Sequence, residues 1–273
     1  MSAKSTYLSA CAQRCAKRVF AALIAALLWT SLAQAGPGTL NDTGITFCGD
    51  ESTNTANCAN VATDGGTHPR QDARYGRDAQ ATAGLLTKIG GGNAGFDFTK
   101  IANNGSVLPA SAVLGSGPAD WACTRDNVTG LIWEVKTTSG LRSISHTYTW
   151  YSSNSASNGG AVGTASGGTC FTSGRCDAEK FVQDVNAVGL CGSSNWRLPS
   201  RQELVSIVDY SRPYPGPTID ADYFPNTRSS FFWSASARAN YSDYAWYVYF
   251  SYGIFGNDAP KSNRGKVRLV RAG

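Results

Sequence analysis

Nine consecutive residues, Trp196-Arg197-Leu198-Pro199-Ser200-Arg201-Gln202-Glu203-Leu204, constrain the fold of this chain more than any other stretch. Trp196 supplies an apolar anchor, and Pro199 holds the residue before it extended. Ser200 is placed to cap a helix by accepting from the amide of Glu203, while the Glu203 carboxylate reaches back to the amide of Ser200. This capping box starts a short helix with Leu204, Ile207 and Val208 on its apolar stripe, and Pro213 is the last point it can reach. A second helix is expected from an Asp177 cap to about Val188, with Phe181, Val182, Val185 and Val188 on one face and Gly189 ending it.

The first 35 residues read as a secretory signal peptide. They contain Lys4, Arg14, Lys17 and Arg18 and no acid, then an apolar run from Val19 to Leu32, then Ala33-Gln34-Ala35 as a small-x-small cleavage site. The apolar run is too short to span a bilayer. Four of the 24 Lys and Arg lie in this leader, so the mature chain nearly balances its 19 acids. A nucleic-acid partner is therefore not expected. Export also makes the six remaining cysteines a disulfide framework. Spacing favours Cys48–Cys58 and Cys170–Cys176 as local staples with Cys123–Cys191 across the core; Cys176–Cys191 with Cys123–Cys170 is the alternative.

Residues 36–120 are rich in Gly, Asn, Thr, Asp and Ala and read as a loop-rich N-terminal extension, with Gly90-Gly91-Gly92 as a surface turn. Residues 121–273 carry the main domain. Leu131-Ile132-Trp133, Phe231 to Ser236, Tyr244 to Phe250 and Val267 to Arg271 read as strands. Between Thr137 and Gly168 the chain is polar around Tyr148-Thr149-Trp150-Tyr151, aromatics that either pin a long loop to the core, the favoured reading, or bind a ligand.

The string at 196–204, with Thr129-Gly130-Leu131-Ile132-Trp133-Glu134 before it and Val267-Arg268-Leu269-Val270-Arg271 after it, resembles the Lcl C-terminal domain family of bacterial proteins from Ala122 to Ala272. The resemblance implies an α+β, C-type-lectin-like fold related to the formylglycine-generating enzymes, with two short helices and a twisted antiparallel sheet, loop-rich and disulfide-stapled, used chiefly for binding. The family takes its name from a collagen-like adhesin, which implies sulfated polysaccharides as one ligand class.

Catalytic chemistry finds little support in the residues. His68 and His146 lie in polar loops without metal spacing, and no nucleophile elbow is present. Formylglycine-generating enzymes use two late cysteines, but none follows Cys191 here. The calcium and sugar motifs of true C-type lectins are also missing, leaving the pair Asp220 and Asp222 as the place where calcium would bind. No enzyme activity and no obligatory cofactor are expected. Two ligand surfaces are expected instead: Tyr247 and Tyr249 on the outer face of a strand whose Trp246, Val248 and Phe250 point inward, with Tyr252 close by in sequence, and the basic run Lys261, Arg264 and Lys266. The chain is thus expected to be an exported, adhesin-like module in the periplasm, at the cell surface or outside the cell, binding a glycan or a protein, with oligomerisation as a route to avidity. A structural envelope protein is the alternative.

Overall fold

Backbone groups of the 196–204 string reach both main sheets in the computed structural model, which describes residues 41–55, 57–59, 61 and 65–273, the side chains of 255–257 excepted. The expected signal peptide lies outside the described residues. In chain order, β1 (Cys48–Gly49) and β2 (Asn54–Thr55) pair antiparallel, followed by α1 (Asp72–Tyr75) and α2 (Arg77–Thr82). Then come β3 (Phe98–Ala102), β4 (Trp121–Asp126), β5 (Leu131–Glu134), α3 (Ala178–Ala187) and α4 (Arg201–Val205). The chain ends with β6 (Phe231–Ala237), β7 (Tyr244–Tyr249), β8 (Ile254–Pro260) and β9 (Val270–Ala272). One antiparallel sheet runs β3-β4-β5-β9 and another β6-β7-β8. The fold is α+β, loop-rich and stapled by Cys48–Cys58, Cys123–Cys191 and Cys170–Cys176.

The nine-residue string works as a junction. Trp196 is buried, its indole N–H donating to the Leu190 carbonyl at 2.9 Å and its amide to Asn186 Oδ1 at 2.7 Å, which clamps the end of α3. Arg197 pairs with Val270 in β9, and the Pro199 carbonyl accepts from Ala235 in β6. Ser200 and Glu203 close both hydrogen bonds of the capping box. Burial would raise the Glu203 carboxyl, but a bidentate pair with Arg197 and the Ser200 amide outweigh it and hold the group below its ordinary value. The helix itself lasts five residues, because the amides of Asp209 and Tyr210 turn to the carbonyls of Thr218 and Thr43. Ile207 and Val208 are buried beyond its end.

Two apolar clusters result. Under α3, Phe181 and Val185 pack with Tyr148, Trp150, Trp233 and Leu269. Under α4, Leu204 packs with Phe98, Trp133, Phe232, Val248 and Phe250. Tyr148 and Trp150 thereby pin the 137–168 loop; the Trp150 indole donates to the Ser234 carbonyl at 2.9 Å. Residues before 121 also enter the second cluster, since β3 pairs with β4. Glycines make this approach possible: a Cβ on Gly90 would stand 1.9 Å from the Phe98 carbonyl oxygen, and one on Gly91 would stand 2.3 Å from the Tyr223 hydroxyl.

At the boundary of the clusters lies a buried charge group. Glu134 pairs with Lys136 at 2.8 Å, and its other oxygen accepts from the Leu269 amide at 3.1 Å. Arg268 is also fully buried, with Nη2 donating to Thr227 Oγ1. Burial, partly offset by Glu134, pushes Lys136 down from 10.5 to about 8. Removing Glu134 would leave these cations uncompensated, so Glu134→Ala should cost about 3–5 kcal/mol in urea denaturation. A second test uses pH. Between about 8 and the ordinary lysine value the unfolded chain binds the Lys136 proton more tightly than the folded chain, so stability from this group rises with pH and is lost as pH falls through 8. Denaturation at pH 8 and pH 10 should show this rise in the wild type and a smaller one in Lys136→Met.

Candidate functional site

Three tyrosines stack into a ladder in which Tyr214 and Tyr252 are exposed and Tyr249 is half-buried. The Tyr214 ring lies 4.5 Å from that of Tyr252 at an interplanar angle of 14°, and Tyr252 lies 5.9 Å from Tyr249 at 22°. Tyr214 is 64% exposed and Tyr252 49%. The backbone beneath them is fixed: Thr218 donates to the Phe250 carbonyl from its amide at 2.7 Å and from its hydroxyl at 2.9 Å. The Pro-Tyr-Pro-Gly-Pro turn at 213–217 is thus tied to the chain just after β7. The Tyr214 hydroxyl beside it raises the Tyr252 phenol above its ordinary value. Flat aromatic faces with hydroxyl tips suit a sugar ring or a protein surface.

Tyr247 does not join this ladder. Its ring packs 4.8 Å from Phe231 and 6.2 Å from Trp233, against the first cluster. Strand β7 is covered on both faces, so the expected alternation gives an apolar contact on each side rather than an outer aromatic face. Val248 and Phe250 do point inward, but Trp246 is half-buried, with Arg201 4.7 Å and Arg238 5.8 Å from its ring. Arg238 also lies over Tyr241 at 4.1 Å and pairs with Asp258.

The basic run is divided by the fold. Lys261 is buried, and its Nζ donates to the carbonyls of Asn158, Ala161 and Ser242 at 2.7, 2.6 and 2.5 Å. Lys266 donates to the carbonyls of Ile144, Ser145 and His146. Desolvation lowers both lysines. An ammonium has three donors, and both lysines spend theirs on main chain, which corrects the expectation that they form an anion site. Arg264 alone of the three is exposed.

Residues 122–271, more than half of the chain, match the Lcl C-terminal domain. The chain belongs to this family. No curated protein and no solved structure matches it. The Lcl C-terminal domain therefore contains the tyrosine ladder, the buried Glu134 group and the 196–204 junction, while β3 and everything before it precede the matched residues.

Asp220 is buried, with its two oxygens accepting from the amides of Asn93 and Asp222. Asp222 shares a polar pocket of about 560 Å³ with Lys100 and Arg212. Two cations in the same pocket make the Asp220 and Asp222 pair a poor place for calcium. His146 contacts the Gly140 carbonyl at 2.9 Å, and His68, outside the domain, contacts Thr67 Oγ1. Sequence reasoning missed Tyr214 and the Arg201 and Arg238 pair at Trp246. Tyr214 carried a signal, since an aromatic between two prolines cannot sit in a regular strand or helix; the arginines carried none.

Lys261 gives a direct check of the division between fold and surface. Lys261→Ala strands three carbonyls and should lower stability by about 3 kcal/mol, whereas Arg264→Ala should change it by less than about 0.5 kcal/mol, both by chemical denaturation.

Proposed function

We propose that this chain is an exported, non-enzymatic binding module that recognises a glycan of the cell surface or its surroundings through Tyr214, Tyr249 and Tyr252. The observation that carries this reading is the stacked ladder, exposed at Tyr214 and Tyr252, on a backbone held by Thr218 and Phe250. Exposed aromatics normally cost solubility, and a rigid rank of three loses little conformational entropy when a ring settles on it. The leader supports export to the periplasm, surface or medium, and the family resemblance supports a binding role. Engagement of Lys261 and Lys266 by carbonyls argues for contact with uncharged sugar faces over a dominant role for sulfate. No helix among the described residues is long and apolar enough to cross a membrane.

Binding of the oxidised mature chain to an array of neutral and sulfated glycans at two salt concentrations tests the reading. We expect binding to neutral sugars with little salt dependence, weakened about tenfold by Tyr214→Ala or Tyr252→Ala, or about 1.4 kcal/mol each. Steeply salt-dependent binding to sulfated chains only, lost in Arg264→Ala and kept in the tyrosine variants, would overturn it. Silence on every glycan, with a single protein neighbour found by cross-linking in intact cells, would replace it with the structural envelope reading.

A further inference from the structure

We propose that Asp42, Asp72 and Asp78, all ahead of the Lcl domain, form a divalent-cation site suited to calcium. One carboxylate oxygen from each lies within 4.8 Å of the others. Calcium holds oxygens at about 2.3–2.6 Å, so donors up to about twice that distance apart can share one ion. The three residues come from separate pieces of chain: the turn before β1, the first residue of α1, and α2.

Two orphaned oxygens turn this cluster from a group of acids into a site. Asp42 and Asp78 are 6% and 1% exposed, and in each the Oδ2 atom has no hydrogen-bond partner. Their Oδ1 atoms are held, by the Gly44 amide at 3.0 Å and the Ala79 amide at 2.8 Å. Asp72 Oδ2 accepts from the Thr43 hydroxyl. Leaving a buried carboxylate oxygen unpaired is costly, and a cation removes that cost. No ion pair among the described residues includes any of the three acids. Arg77, beside Asp78, turns its Nε to the Gly95 carbonyl instead. Gly95 also forms part of the wall: a Cβ there would stand 2.0 Å from Asp42 Oδ2.

The packing of α1 and α2 points the same way. Helix α1 buries no residue, and the single buried residue of α2 is Asp78 itself. A short helix that turns inward only a carboxylate has no apolar reason to dock. Three carboxylates with oxygens within 4.8 Å of one another, two of them buried, repel one another when ionised. Donors consisting only of carboxylate oxygens favour a hard ion over zinc. Ligands drawn from a turn and two short helices favour calcium, which accepts variable geometry, over magnesium, which requires a near-ideal octahedron. The cation would thus fasten the segment from Asn41 to Thr82, where the Cys48–Cys58 bridge is the only disulfide, in a region with little apolar content.

The test is calorimetric titration of the full mature chain, stripped with chelator, using calcium chloride alone, together with thermal unfolding and limited proteolysis. We expect one ion per chain, a rise in the unfolding midpoint of several degrees, and slower cleavage between residues 65 and 95. Asp78→Asn should lower calcium affinity at least tenfold yet match or exceed the wild type in stability without calcium, because it removes repulsion. Asp222→Asn should bind calcium as the wild type does. Absence of heat and of any midpoint shift in the wild type at about 5 mM calcium, above the range of extracellular calcium modules, would overturn the proposal, and needs no variant to fold. Undiminished calcium binding by Asp78→Asn would overturn the assignment of the site.

Discussion

The buried carboxylate of Glu134 is where the two apolar clusters meet, and the rest of the fold depends on it. Its backbone amide donates to the Leu269 carbonyl while its side chain accepts from the Leu269 amide, so one residue clasps the closing segment twice. The cations it faces reach in opposite directions. Lys136 lies 4.6 Å from the Phe181 ring in the first cluster, and Arg268 lies 4.9 Å from the Phe224 ring in the second. A charge in such a place is stable only if its partners stay put. That requirement fixes β5 against the approach to β9, and with it the positions of α3 and α4, which each cover one cluster.

From that frame the candidate surface follows by short steps. Phe232 in the second cluster pairs with Val248, whose strand leads to Phe250, and the Phe250 carbonyl anchors Thr218 beside the proline-rich turn. Tyr214 and Tyr252 are presented by loops, but by loops tied at their bases to the packed core. The same rigidity separates Tyr249 from Tyr247, neighbours of one face in the strand: one reaches the ladder, while the other fills the gap beside Phe231 and Trp233.

How much of this was legible in the sequence depended on the range of the interaction. The capping box, the Asp177 cap and the helix stop at Gly189 are set by residues within a few positions of each other, and they form as the sequence implies. Cysteine spacing ranked the pairing that the structure contains. Strands β3 and β8 left little trace: β3 follows a glycine-rich stretch, and β8 contains Gly256, Asn257, Asp258 and Pro260, residues poor in strand preference that are held there by backbone pairing to β7. The ladder was half legible, since Tyr249 and Tyr252 share a local stretch while Tyr214 arrives from elsewhere in the chain.

The lysines show why charge was the least legible feature. A fold with long irregular connections buries main-chain carbonyls that no ladder satisfies, and each needs a donor. A lysine brings three donors on a flexible apolar stem, so one side chain can close several such carbonyls at once. Lys261 does this for three carbonyls in two loops, Lys266 for one turn, Lys88 for the carbonyls of Gly92 and Ala94, and Lys100 for that of Ala112. Arg142 acts likewise on Ala122 and Val135. Positive charge in this chain is therefore partly a device for tying loops, and its density along the sequence measures irregular backbone as much as affinity for anions. The same reasoning run with the opposite sign applies to Asp42 and Asp78, whose buried Oδ2 atoms face no donor.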